Sequence, residues 1–213
     1  MIDPTRIVYE YLTTSVSSSA ATTLNGAVAT TTTRTITLTA GSAFSGYDAP
    51  LVLKVGTELM IGAVSTNTFT VDIGLRGALG TTAALHDDLD DISLANLYMI
   101  SGSAIYADYL PNGYANAAPA VMFRVRGGEG IDPRVPAVSC SFEFFCYGGS
   151  AYYDDSAALC RALNDRLHGT VVESTTSGTI LAAHEEVAMQ NATEPDTEWP
   201  RTFSAYRILL RSL

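Results

Sequence analysis

The chain has 213 residues, 47% of them hydrophobic and only 16% charged, with 17 glycines and 8 prolines, which is the make-up of a folded protein and excludes wholesale disorder. Its net charge of −10 comes from 22 acids against 12 bases, of which only Lys54 is a lysine, and that balance argues against wrapping or reading nucleic acid. No stretch reaches the roughly 18 apolar residues of a membrane span, and Met1 to Tyr11, carrying Asp3 and Glu10, reads as neither a signal nor a transit peptide.

In chain order, "DPTRIVYEYL" opens with Asp3 as N-cap and Pro4 at the first helical position, and its apolar residues at 7, 8, 11 and 12 predict a short amphipathic helix. "TTSVSSSAATT" has no period and reads as a linker. From Thr35 to about Ile73 come short β-branched or alternating runs, "TITLT", "LVLKV", "ELMIGAV" and "TFTVDI", divided by "AGS", "VGT" and "STNT"; they predict a small all-β unit.

The stretch that follows, "GLRGALGTTAALHDDLDD", looks most like chemistry. As a phosphate loop it fails, because no lysine follows Gly74, Gly77 and Gly80 as a Walker loop needs, and the dinucleotide fingerprint is absent. As an EF-hand begun at Asp88 it fails too, with Ile92, Ser93 and Met99 where an acceptor, a glycine and a glutamate belong. His86, Asp87, Asp88, Asp90 and Asp91 remain weak candidates for a casually held ion. The plainer expectation is that the glycines serve tight turns, Arg76 pairs with a nearby aspartate, His86 donates to a backbone carbonyl, and the acids form a solvated face.

After "ISLANLYMI" the rhythm becomes mixed. "SGSAIYADYLP" suggests a strand ending at Pro111, and "AVMFRVRGG" and "AVSCSFEFFCYGG" alternate as half-buried antiparallel strands. "DDSAALCRALNDRLHG" is a helix capped by Asp154 or Asp155, with Leu159, Ala162, Leu163 and Leu167 in one stripe, Arg166 and His168 as cations at its end, and Gly169 as its stop. "GTILAAHEEVAMQN" is ambiguous between helix and strand, "ATEPDTEWP" is a turn, and "RTFSAYRILLR" is strand-like. Cys140 and Cys146 on one strand would lie about 20 Å apart at about 3.3 Å per residue, so Cys140, Cys146 and Cys160 are expected as buried free thiols. "YGGSA" lacks a nucleophile elbow, and His86, His168 and His184 have no matched nucleophile, so no catalytic residue and no cofactor is assigned.

The order "PAVMFRVRGG", "FFCYGGS", "AALCRALNDRLHG", "GTILAAHEEVAMQ", "EPDTEWPRTFSAYRILLR", with "DPTRIVYEYL" and "SAIYADYLP" before it, resembles bacteriophage tail terminators, also called tail-completion or tail-tube terminator proteins. "GLRGALGTTAALHDD" is similar to an "RG..GT.AA.H" element of small β-domains in phage tail and neck proteins. The resemblance implies a virion protein that is no enzyme and is assembled in the host cytoplasm. Its expected fold is α+β: a ferredoxin-like α/β sandwich over residues 1–13 and 99–213, with residues 14–98 as an inserted all-β domain. It implies a homo-hexameric ring at the head-proximal end of the tail, touching the tail-tube protein and a head-tail connector or stopper, with genome DNA passing through the lumen unbound and no membrane partner. Arg124, Arg126, Trp199, Tyr206, Arg207 and Arg211 are the candidate subunit-interface residues; the arginines equally suit covering sheet edges with their stems. The rival reading makes the β-insert a module that holds carbohydrate or another virion protein, and a metal-dependent hydrolase at His86 is the weakest alternative.

Overall fold

A computed structural model describes residues 3–18, 20–47, 49–102, 104–132 and 134–212. Contacts divide the chain into two compact units, one of Met1–Ser15 with Leu97–Leu213 and one of Val16–Asn96. Among the described residues the protein is mostly β, with two curled six-stranded half-barrel sheets and three α-helices.

The Val16–Asn96 unit is a sheet of β1 (Ala21–Thr23), β2 (Thr35–Thr37), β3 (Leu51–Val55), β4 (Glu58–Ser65), β5 (Thr68–Arg76) and β6 (Asp91–Leu94), in the order β1-β6-β3-β4-β5-β2. Every pairing is antiparallel. Alternation along the strands turns Leu53, Val55, Met60, Phe69, Val71 and Ile92 into a core that excludes water. Two tight hairpins, β3–β4 and β4–β5, set the register; the first turns at Gly56, whose φ of 57° is the left-handed conformation that suits glycine.

In the other unit, α1 (Pro4–Thr13) has the expected start: the Asp3 side chain accepts from the Arg6 N–H, and Ile7, Val8, Tyr11 and Leu12 are buried. After the short α2 (Leu97–Ser101) come β7 (Ile105–Ala107), β8 (Ala120–Asp132), β9 (Val135–Tyr147), α3 (Tyr153–Leu167), β10 (Val171–Ser174), β11 (Gly178–Thr193) and β12 (Pro200–Ser212). The sheet order is β10-β11-β12-β9-β8-β7, antiparallel except for the β7–β8 pair.

The expected ferredoxin-like sandwich is therefore not what forms. The segment 178–193 is one long strand, so β10, β11 and β12 make a meander of hairpins beside β9; α3 leads from β9 into β10, which runs antiparallel to β9, and among the described residues no second long helix repeats that connection. Packing decides for the strand: β12 pairs with it along its length and β10 with its start, Thr179 to Ala182, and local preference yields. The expected aspartate cap of α3 also differs, since Tyr152 is the N-cap without a side-chain bond, and Asp154 and Asp155 stand inside the first turn, where negative charge suits the helix dipole. His168, expected as a cation at the helix end, is the C-cap residue, and its Nδ1 accepts the Glu185 backbone N–H at 3.2 Å.

α3 packs on β9, β11 and β12 through Leu159, Leu163 and Leu167, and α1 joins the same side, where Tyr11 donates to the Arg166 carbonyl at 2.8 Å and the Arg166 guanidinium lies 3.9 Å from the Tyr11 ring centroid. Phe123, Phe142, Phe144 and Tyr206 fill the layer between helices and sheet.

Candidate functional site

The motif-rich stretch 74–91 closes around a residue that lies well upstream of it. Glu58, the first residue of β4, is fully buried, and its carboxylate accepts five hydrogen bonds. Oε1 takes Arg76 Nε at 2.6 Å and the Gly77 N–H at 2.9 Å; Oε2 takes Arg76 Nη2 at 3.0 Å, the Ala84 N–H at 2.9 Å and His86 Nε2 at 2.8 Å. A carboxylate only accepts, so Nε2 is the nitrogen that carries the proton. Arg76 spends its remaining donors on the carbonyls of Thr30, Thr33 and Ala84.

Burial alone would push the Glu58 carboxyl up, but Arg76, the Ala84 N–H and His86 together hold it below its ordinary value. Thr81 completes the clasp by accepting the Leu59 N–H at 3.0 Å and donating to the Ala78 carbonyl at 2.8 Å. Gly74, Gly77 and Gly80 have φ of 78°, 64° and 76°, and a Cβ on Gly77 would stand 2.5 Å from the Ala83 nitrogen. Every distinctive residue of the "RG..GT.AA.H" pattern thus has a structural task.

Two details differ from expectation: Arg76 pairs with Glu58 and not with an aspartate, and the His86 ring donates to that carboxylate and not to a backbone carbonyl. The sequence reading missed Glu58, which occupies an ordinary strand position; its signal was only a carboxylate opposite an Arg-Gly pair in a hairpin-rich unit.

The aspartates do not gather around His86. Asp88 accepts the Gly26 N–H at 2.7 Å, Asp90 accepts the Asp87 N–H at 3.0 Å and lies 3.8 Å from His86 Nδ1, and Asp87 and Asp91 are exposed. Among the described residues no three His, Cys, Asp or Glu side chains converge as metal ligands would. Chemically the site holds a loop closed; its one buried carboxylate has no access to solvent and all of its acceptor positions are engaged.

A second arrangement occupies the face of the β7–β12 sheet that turns away from α3. Glu143 is bridged by Arg124 Nε at 2.8 Å and Arg126 Nε at 2.6 Å; burial raises its carboxyl, and the two arginines outweigh that and lower it. Glu186 bonds Arg207 Nε at 2.8 Å and Ser141 Oγ at 2.8 Å, and Arg201 pairs with Glu194. The guanidinium carbons of Arg124 and Arg201 lie over the Phe145 ring, 5.2 and 4.6 Å from its centroid. The face is charged yet balanced.

The six candidate interface residues do not form one patch. Arg124, Arg126 and Arg207 already have carboxylates of their own chain, and Arg211 is exposed near the end of β12. Trp199 stands edge-on to Tyr114, 5.7 Å between centroids. Tyr206 is fully buried, and its hydroxyl donates to Asn164 at 2.8 Å. All three cysteines are buried and free, and burial pushes the Cys146 thiol well up.

No family model matches the chain, and no curated protein does. Among solved structures it is similar to a chain of the virion of a native gene transfer agent particle, with 16% identity over 55% of this chain and 86% of that one and a TM-score of 0.42.

Proposed function

We propose that this is a structural virion protein, a ring-forming terminator at the head-proximal end of a phage-type tail, which ends tail-tube polymerisation and joins the tail to the head connector. The observation that carries the reading is one of order: α1, β7, β8, β9, α3, β11 and β12 follow one another over the residues on which the sequence resemblance rests, and they belong to one compact unit. The polar groups that an enzyme would leave free are engaged here: Glu58 and His86 in a loop clasp, Glu143, Glu186 and Glu194 in ion pairs. On this reading residues 14–98 are an insertion after α1, the partners are further copies of the chain, the tail tube and the connector, and DNA passes through the lumen without specific contacts.

Negative-stain microscopy of the purified protein with and without tail tubes tests it. Six-fold rings seated on tube ends are expected; a monomer that ignores tubes overturns the reading. A second reading, that the β-unit binds another virion component, is favoured by its exposed Ile73, Leu85 and Leu89, at 83%, 64% and 65% exposure. Deleting residues 15–98 separates the two, since a terminator keeps its rings without them.

A further inference from the structure

We propose that neighbouring copies of this chain join edge to edge, Gly128–Gly130 of β8 in one copy pairing antiparallel with Asn191–Thr193 of β11 in the next, an interface that rests on the ring reading. Both stretches are strand without an outer neighbour. β7 pairs with β8 only as far as Ala107↔Phe123, and β10 pairs with β11 only from Thr179 to Ala182. Beyond those points, among the described residues, β8 runs on through Gly130 and β11 runs on from Glu186 to Thr193 with one side open.

The open backbone groups can be identified. The Val121 N–H donates to Ala104 and the Phe123 carbonyl accepts from Asp108, so both residues turn their backbone outward, away from Cys146 and Phe144 of β9. Following β9 by twos past the bulge at Val125/Gly127 leads to Cys140 and Val138, whose partners Gly128 and Gly130 therefore also turn outward. At the other edge the Glu194 N–H bonds inward to the Trp199 carbonyl, so Thr193 and Asn191 face outward. Such rows of donors and acceptors are a template for another strand.

Three features select a second copy as that strand. First, β11, β12, β9 and β8 are successively antiparallel, so β8 runs opposite to β11, and a neighbour's β8 laid against β11 continues the alternation. Second, a Cβ on Gly130 would meet nothing within 4 Å, so the chain's own packing does not require glycine there; a bare edge lets a foreign backbone come close. Third, the two stretches lie at opposite ends of the sheet. Through β9, Gly128 and Gly130 stand level with Ile208 and Leu210 of β12, whereas Thr193 and Asn191 stand opposite Pro200 and Thr202.

Pairing Gly128 with Thr193 and Gly130 with Asn191 brings together outward-facing residues and shifts each copy by about eight residues, or roughly 26 Å at about 3.3 Å per residue. A constant stagger between curled sheets tilts the strands, as closure into a barrel requires. The contact is heterologous, each copy using one edge of each kind, which is the kind of interface that gives a ring when its rotation closes.

Gly130→Pro blocks one edge and Asn191→Pro the other, each by removing an outward donor. Wild type is expected to sediment as a closed oligomer and each variant alone as a folded monomer, while an equimolar mixture of the two gives heterodimers through the one intact pair of edges. Hydrogen exchange on the wild type supplies a readout free of mutation: the amides of Gly128, Gly130, Asn191 and Thr193 should slow by about tenfold or more between dilute monomer and oligomer. Variants that retain the full oligomer, or edge amides that exchange equally fast in both states, overturn the edge pairing and leave the ring reading standing. A wild type that stays monomeric and never caps tubes overturns both.

Discussion

At the scale of single residues, Glu58 holds the 76–86 loop closed. Removing one member of a buried charged pair strands the other, so Glu58→Ala is expected to destabilise the protein by roughly 3–5 kcal/mol, measured by denaturant unfolding. His86→Ala removes one donor from the same carboxylate and should cost about 1–3 kcal/mol. A metal role for His86 predicts instead that a chelator lowers the melting temperature; the clasp predicts no change. The sign with pH follows from the lowered Glu58 value: the group binds fewer protons folded than unfolded, so its stabilisation is present above the ordinary carboxylate range and is lost as pH falls through the folded value. The stability gap between wild type and Glu58→Gln should be wide at neutral pH and narrow in acid; a gap independent of pH contradicts this. The loop residues that serve the clasp were visible in the sequence as a motif, but the residue they serve was not, because "ELMIGAV" reads only as a strand and the burial of its glutamate is set by tertiary closure.

At the scale of elements, legibility follows how local the cause is. α1 was readable to its N-cap because Asp3, Pro4 and the i, i+3, i+4 spacing of the apolar stripe are all signals local to one short segment. Asp3→Ala is expected to cost about 1 kcal/mol, seen as fraying of α1 by hydrogen exchange. The stripe of α3 was equally readable, and Leu163→Ala, which empties a fully buried site, should cost about 2–5 kcal/mol in thermal or denaturant unfolding. β11 was ambiguous, because its alanines and glutamates favour helix while Leu181, Ala183, Val187 and Met189 alternate as a strand, and register shifts at Ile180/Ala182, Glu185/Val187 and Val187/Gln190 blur that alternation. Sheet order was the least accessible, since β9 finds its partner β12 across α3, β10 and β11, and nothing local in either strand names the other.

At the scale of the whole molecule, the proposed work is geometric. A sheet with one face covered by helices, a second face of matched arginines and carboxylates, and open edges at opposite ends has the parts from which a ring can be built. The net charge of −10 would let DNA slide past a lumen without adhering to it. The most direct test of the terminator reading is to add the protein to tail-tube subunits while they polymerise and to measure tube length. The account predicts that elongation stops, with a ring on the end of each arrested tube; tubes that grow as long as they do without the protein would contradict it.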